Sequence, residues 1–291
     1  MVTRLQVRHV SSYDYEQPVS SSFNEARLTP LALPWQNCLE SMMFVDGDGQ
    51  RAGWESAYSD YWGTWVRSFE VQTPHARLTV ETVSLVEVDD TARPVPEYAV
   101  SWETMRGEEI YQGFEEYLSQ TSRTQPTDDL AELAAAVAGQ LPPHEAALEI
   151  CRRVRAEMTY VPGSTGVNTS ASQSWTARTG VCQDYAHIVV GALRHVGVPT
   201  RYVSGYLHPD AEPEIGVTVA GESHAWVEWW LGSASGGAWV GHDPTNGSTI
   251  GERHVFVGAG RDYTDAPPLK GLVAGSAAAR LRVTVELTRM A

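Results

Sequence analysis

Residues 180–196 read Gly180-Val-Cys-Gln-Asp-Tyr-Ala-His-Ile-Val-Val-Gly-Ala-Leu-Arg-His-Val196. Within them Cys182, Ala186, Val189, Val190, Leu193 and Val196 recur at the i, i+4, i+7 spacing of a buried helical face, which predicts a helix over 181–196. A Gly-, Ser- and Thr-rich loop leads up to Gly180, and Gly197 and Pro199 end the helix. The helix therefore opens on a cysteine approached through glycine. A helix N-terminus carries unpaired N–H groups and a partial positive charge. That field favours thiolate over thiol, and the same N–H groups can hold the oxyanion formed when a thiolate attacks an acyl carbon. An arbitrary free cysteine is more often a small, inert core residue. We read Cys151 that way, because it lies on the apolar stripe of its own helix. Cys38 is read the same way, having neither a glycine approach nor a helix start behind it.

Downstream the pattern turns to β, with strands expected at 201–207, 222–231, 237–242 and 254–257. His224 heads the run His-Ala-Trp-Val-Glu-Trp-Trp and should share a strand face with Trp226 and Glu228. The run Gly232-Ser-Ala-Ser-Gly-Gly237 is the expected hairpin turn. Folding about Ser233–Ser235 brings Asp243 within about two positions of His224 across the ladder, where cross-strand side chains meet. Asp243 can then orient the imidazole and stabilise its protonated form. His242 should face the other way. His187, about 140° round the helix from Cys182, should not reach the sulfur. A cysteine at a helix start with His and Asp on a hairpin points to nucleophilic acyl transfer by Cys182, His224 and Asp243.

Upstream, helices are expected at 127–139, behind a Thr-Asp-Asp cap signal, and at 142–158, with prolines in its first turn. The first 90 residues alternate as antiparallel strands, notably 3–10, 24–29, 65–73 and 76–88, the last with Leu78, Val80 and then Val83, Leu85 before a slip of phase. Trp54, Tyr58, Tyr61, Trp62 and Trp65 form an aromatic cluster, read as core or interdomain surface. Asp89–Val100 has no period and reads as a linker. A last strand is expected at 281–289. The organisation expected is an N-terminal β domain (1–90), a linker and connecting helix (91–126), and a core with terminal strand (127–291).

The chain has 291 residues, 42% of them hydrophobic and 20% charged, which fits a globular fold and not a disordered one. Its three cysteines are too few for a disulfide scaffold. The net charge is −15 with no basic block, so nucleic acid is an unexpected partner and the acidity serves solubility. No apolar run long enough for a membrane span occurs. The N-terminus has no secretory h-region, so the expected compartment is the cytoplasm. Neither CxxC, HExxH nor a calcium-loop spacing occurs, so no metal or other cofactor is expected.

The residues singled out also carry a family resemblance. Gly180–His187, Leu193-Arg-His-Val-Gly-Val-Pro-Thr-Arg-Tyr-Val-Ser-Gly-Tyr206, His224-Ala-Trp-Val-Glu and Asp243-Pro-Thr-Asn-Gly247 resemble the core of bacterial transglutaminase-like proteins. The segment 257–271 resembles that which closes the core. Leu5-Gln-Val-Arg-His, Tyr13-Asp-Tyr, Pro18-Val and Glu25-Ala-Arg-Leu-Thr-Pro30 resemble the β region that precedes it. The resemblance implies an α+β fold with a papain-like core, and Cys182 as nucleophile, His224 as base and Asp243 as orienter. It implies a peptide or protein amide substrate and a thioester resolved by water, as in a cysteine protease or amidase, or by an amine, as in a transglutaminase. The other class of function is an inactive fold serving as a binding or scaffold module. Trp175, Gln183 and Trp226 are candidate cleft residues, with packing as the plainer role of each tryptophan.

Overall fold

The computed structural model describes residues 2–49, 51–94, 96, 99–275 and 278–291, with Trp54 described through its backbone alone. Val95, Glu97 and Tyr98, inside the stretch read as a linker, and the Trp54 side chain, read into the aromatic cluster, lie outside the described residues. The N-terminal strands are β1 (Val2–Val19), β2 (Ser21–Ala26), β3 (Gln36–Asp46), β4 (Trp54–Ser59), β5 (Trp65–Val71) and β6 (His75–Asp89). Helices α1 (Trp102–Met105), α2 (Glu108–Leu118), α3 (Asp128–Ala138) and α4 (Pro143–Glu157) follow. Next come β7 (Thr159–Tyr160), α5 (Ala171–Ala177), β8 (Thr179–Gly180) and α6 (Cys182–His195). The chain closes with β9 (Thr200–Leu207), β10 (Thr218–Gly232), β11 (Gly237–Asp243), β12 (Ser248–Thr249), β13 (His254–Gly260), β14 (Leu269–Ala274) and β15 (Ala279–Arg289).

The architecture is α+β. From Leu78 to its end β6 keeps one phase, contrary to the slip read from sequence. Leu78, Val80, Thr82, Ser84, Val86 and Val88 all face inward, and polar Thr82 and Ser84 on the buried face hide the alternation. One face of β1 (Leu5, Val7, His9, Ser11) is buried in the same way. β2, β4, β5 and β14 form a four-stranded sheet. Ala26, Phe69 and Val71 from that sheet pack on Val45, Leu78 and Val80 of the larger one.

β15 pairs antiparallel with β1 from Leu5↔Arg289 to Tyr15↔Ala279, and β14 with β2. The two ends of the chain thus share sheets. β10 then joins this region to the core: residues 218–221 pair with β15, residues 222–229 with β9 and residues 227–232 with β11. The helices pack on the β9–β10 side. α6 is buried all round, against Ile150 and Val154 of α4 and against Val227 and Trp229 of β10. Its polar Arg194 is buried because its guanidinium donates to the carbonyls of Tyr117, Ser119, Thr200 and Arg261 at 2.8–3.0 Å. The aromatic cluster of the β region is not one core. Tyr61 is 79% exposed, whereas Trp62 meets Tyr117 of α2 at 5.5 Å and lies under Arg261. Among the described residues no helix is long and apolar enough to cross a membrane.

Candidate active site

Cys182 is the first residue of α6, with Val181 as the extended N-cap. The start of the helix is tied down by the buried Asp184. Its Oδ2 accepts from the Val181 N–H at 2.8 Å and the Thr165 hydroxyl at 2.6 Å, and its Oδ1 accepts from the Ser174 hydroxyl at 2.9 Å. A Cβ at position 180 would stand 2.7 Å from that of Asp184, so the glycine is a requirement of close packing. Loop 161–170, α5 and the helix start are thereby fastened together behind the thiol, which is partly exposed.

His224 and Asp243 come from the β10–β11 ladder. The register pairs Val227 with His242 and Gly232 with Gly237 across the turn 233–236. Continuing it sets Asp243 opposite Trp226, two residues from His224. The His224 Nε2–Asp243 Oδ2 distance is 2.7 Å, with both side chains withdrawn from solvent. The ring also interacts with the Cys182 side chain, and Cys182 Sγ is 4.0 Å from the carbonyl oxygen of the adjacent Ser223. With Nε2 engaged by Asp243, Nδ1 is the nitrogen left for the thiol. Burial alone would lower the pKa of His224. The hydrogen bond to Asp243 and the contact with the Cys182 sulfur outweigh it and push the pKa up to about 10.

Asp243 is buried and saturated with donors. Oδ1 accepts from the backbone N–H groups of Thr245 and Asn246 at 2.9 and 3.1 Å, and Oδ2 accepts from the Asn246 side-chain amide at 2.7 Å. Burial raises the pKa of this carboxyl. The bond from His224, the nearby His254, the charge of His224 and the Asn246 amide together hold it far below the usual carboxylate range. His254 is a second buried imidazole. Its Nδ1 accepts from the Gly251 N–H at 3.2 Å, which leaves the proton on Nε2, 3.8 Å from Asp243 Oδ2. Sequence reading missed His254, which heads a short, wholly buried strand without alternation. It also left Asn246 without a role, although the Asp-Pro-Thr-Asn run was in view.

The remaining candidates separate. Gln183 lines the cleft beside Cys182. Trp226 is fully buried beneath the site, its ring against those of His254, Phe256 and His224. Trp175 lies in the helical core. Its Nε1 donates to Asp129 Oδ2 at 2.8 Å and the Arg178 guanidinium covers its ring, so it does not line the cleft. His187 is fully buried away from the sulfur, accepting from the Tyr263 N–H at 3.1 Å, and burial pushes its pKa down to about 3. His242 turns toward Trp229. Among the described residues no group of three or more His, Cys, Asp or Glu side chains is placed to hold a metal.

The thiol opens into a cleft of about 270 Å³ whose walls include Gln183, Tyr202, His224 and Tyr263 from the core. A thiol, an imidazole and a buried carboxylate in sequence can perform nucleophilic attack on an acyl carbon with proton transfer. The other two thiols are poorly suited to it. Burial pushes the pKa of Cys151 up well beyond the usual thiol range, and burial raises that of Cys38. Brief treatment with iodoacetamide near neutral pH is therefore expected to label Cys182 first, read by peptide mass spectrometry. Equal or faster labelling at Cys151 would exclude an activated Cys182.

Comparison with known proteins agrees in fold. Residues 131–244 match the transglutaminase-like superfamily core, and residues 5–87 the bacterial transglutaminase-like N-terminal region. An uncharacterized protein of Mycobacterium leprae is 39% identical over 288 residues, covering 99% of each chain. A protein-glutamine gamma-glutamyltransferase of Pseudomonas aeruginosa is 32% identical over 89 residues, which cover 30% of this chain and 13% of that protein. Among solved structures, a "Putative Cysteine Protease from Cytophaga hutchinsonii" superposes with a TM-score of 0.73 at 22% identity, covering 100% of this chain and 92% of that one.

Proposed function

The chain belongs to the transglutaminase-like superfamily and carries that family's bacterial N-terminal region, and from this premise we propose that it is a thiol enzyme that hydrolyses an amide through a thioester on Cys182. The observation that carries this reading is the 2.7 Å hydrogen bond that His224 Nε2 donates to Asp243, on an imidazole that lines the same cleft as the Cys182 thiol. His224, protonated through neutral pH, holds the proton of the thiol while Sγ bonds to the amide carbon. The oxyanion so formed faces the free N–H groups at the start of α6. Collapse breaks the C–N bond, and His224 delivers its proton to the departing nitrogen. Water then attacks the thioester, giving a proton to the now neutral His224, the acid leaves, and the protonated His224 again faces Sγ.

Water is favoured over an amine as the final acceptor by the charge of the cleft. The described lining residues include no Asp or Glu to receive a cationic amine, and water needs no dedicated site. A panel of peptide amides and glutamine peptides, incubated with and without a labelled primary amine, tests this. The expected result is release of ammonia or cleaved peptide at a rate indifferent to the amine, and lost in Cys182→Ala. Amine incorporation at the expense of hydrolysis would replace the reading by transfer. Absence of any Cys182-dependent product would leave the fold as a binding module.

A further inference from the structure

One wall of the cleft is built by the two ends of the chain. β1 supplies Ser11 and Tyr13, and β15 supplies Val283 and Leu281. The register pairs Ser11 with Val283 and Tyr13 with Leu281. Residues directly opposite in an antiparallel ladder share a face, so these four form one contiguous shelf across from Cys182. Leu281 and Val283 are 49% and 47% exposed. Isolated exposed apolar residues are ordinary. Here the alternation is what matters: the intervening Arg282 turns to the other face and pairs with Asp14, so the strand directs its charge away from the thiol and its apolar side chains toward it. The polar atoms deeper in this wall are already paired. His9 Nε2 lies 2.8 Å from the Ser11 hydroxyl, and its Nδ1 3.1 Å from the Tyr206 hydroxyl.

Among the described residues that line the cleft there is no Asp, Glu, Lys or Arg; its one charge, the His224 imidazolium, is held by Asp243 at the thiol, so a charged group on the shelf would lose its hydration without gaining a counter-ion beside it. At about 270 Å³ the space is smaller than the roughly 300–1,000 Å³ of pockets for drug-sized ligands. It suits one residue-sized group beside the reacting carbonyl. We propose that the β1–β15 shelf is the subsite for an uncharged apolar or aromatic side chain on the acyl part of the substrate, with Tyr13, Leu281 and Val283 as its specificity determinants. This rests on Cys182 being the attacking group.

Alkylation kinetics test the shelf without requiring turnover. Rates at Cys182 are measured by mass spectrometry for iodoacetamide, N-benzyl-iodoacetamide and iodoacetate, each relative to its rate with free cysteine. The expected result is a benzyl rate at least about tenfold above that of iodoacetamide, as the fit of a small apolar group in a pocket provides. In Leu281→Asp and Val283→Asp the benzyl preference should fall to that of free cysteine. In Leu272→Asp, a still more exposed apolar position on β14 outside the cleft, the preference should persist. Thermal melts identify any variant that fails to fold, and the wild-type ratio stands as evidence without the variants. A wild-type benzyl preference equal to that of free cysteine, or one untouched by both shelf substitutions, would overturn the subsite and leave the thiol chemistry standing. No alkylation of Cys182 by any of the three reagents would overturn both.

Discussion

Replacing Asp243 by asparagine is expected to lower kcat/KM by roughly 10³- to 10⁴-fold, the scale at which a wrongly held tautomer disables an imidazole base. Thr245 and Asn246 donate backbone N–H groups to Oδ1, and an asparagine oxygen there can still accept both. The amide nitrogen then falls where Oδ2 now accepts from His224 Nε2 and from the Asn246 amide. An N–H at that place donates to Nε2, which moves the ring proton to Nδ1, the nitrogen needed to accept the proton of the thiol. The pH profile separates this from general damage. In the wild type His224 stays protonated up to about pH 10, so the alkaline limb of kcat/KM should lie there. Without the carboxylate, burial is opposed only by the Cys182 sulfur, and the limb should move toward neutrality.

Stability follows the same two groups. The His224 pKa is raised on folding, so its contribution is complete below its ordinary value of about 6.5 and is lost as pH rises through about 10. The Asp243 pKa is depressed, so its contribution is complete above the ordinary value of about 3.9 and is lost as pH falls. The wild type should therefore exceed Asp243→Asn in urea midpoint most clearly between about pH 4 and 6.5. An activity within about tenfold of wild type, with an unmoved alkaline limb, would remove Asp243 from the role of orienter.

What was legible in the sequence was local. The helix over 181–196 is bounded by glycines and carries a clear period, and α6 spans Cys182–His195. The hairpin turn is marked by Gly232, Gly236 and Gly237, and folding about it placed Asp243 on the correct strand face, with His242 on the other. Membership of the family was legible for the same reason, since its motifs are short contiguous runs. Edge strands were not legible. β3 is solvent-exposed along most of its length, and an edge strand without a buried face has no alternation to read. α5 is a single short helix in a serine-rich loop, opened by a Ser170–Gln173 capping box that composition concealed.

The cleft wall was illegible for a different reason. Tyr13 and Leu281 face each other across the β1–β15 ladder, yet nearly the whole chain separates them. No periodicity reports a pairing at that range. The terminal strand was visible as a strand, but its partner was not. The same limit hid His254, which reaches Asp243 only because β13 adds to β9 next to β10.

Replacing Gly191 by alanine is expected to destabilise the protein by at least about 3 kcal/mol, the upper end of what overpacking costs. A Cβ at this position would stand 1.8 Å from the Thr124 carbonyl oxygen and 3.0 Å from its carbon, both backbone atoms. Neither can turn aside as a flexible side chain would, because the segment is strapped to the helix. Gln120 donates to the Gly191 carbonyl oxygen at 2.8 Å, the Thr124 hydroxyl donates to Gln120 at 2.9 Å, and Arg194 donates to the Ser119 carbonyl at 2.9 Å. Either the strap detaches, leaving the buried Arg194 short of acceptors, or α6 shifts away from it. Urea denaturation reads the loss as a lowered midpoint. The second outcome also reaches the chemistry. Cys182 lies nine residues toward the N-terminus of the same rigid helix, so a shift of α6 carries the thiol away from His224, which is fixed on β10. A displacement of about 1 Å can cost about 10²-fold in rate. Activity in Gly191→Ala should therefore fall well below the folded fraction at the same temperature. A midpoint within about 0.5 kcal/mol of wild type would show that the 119–124 strap yields freely and does not set the position of α6.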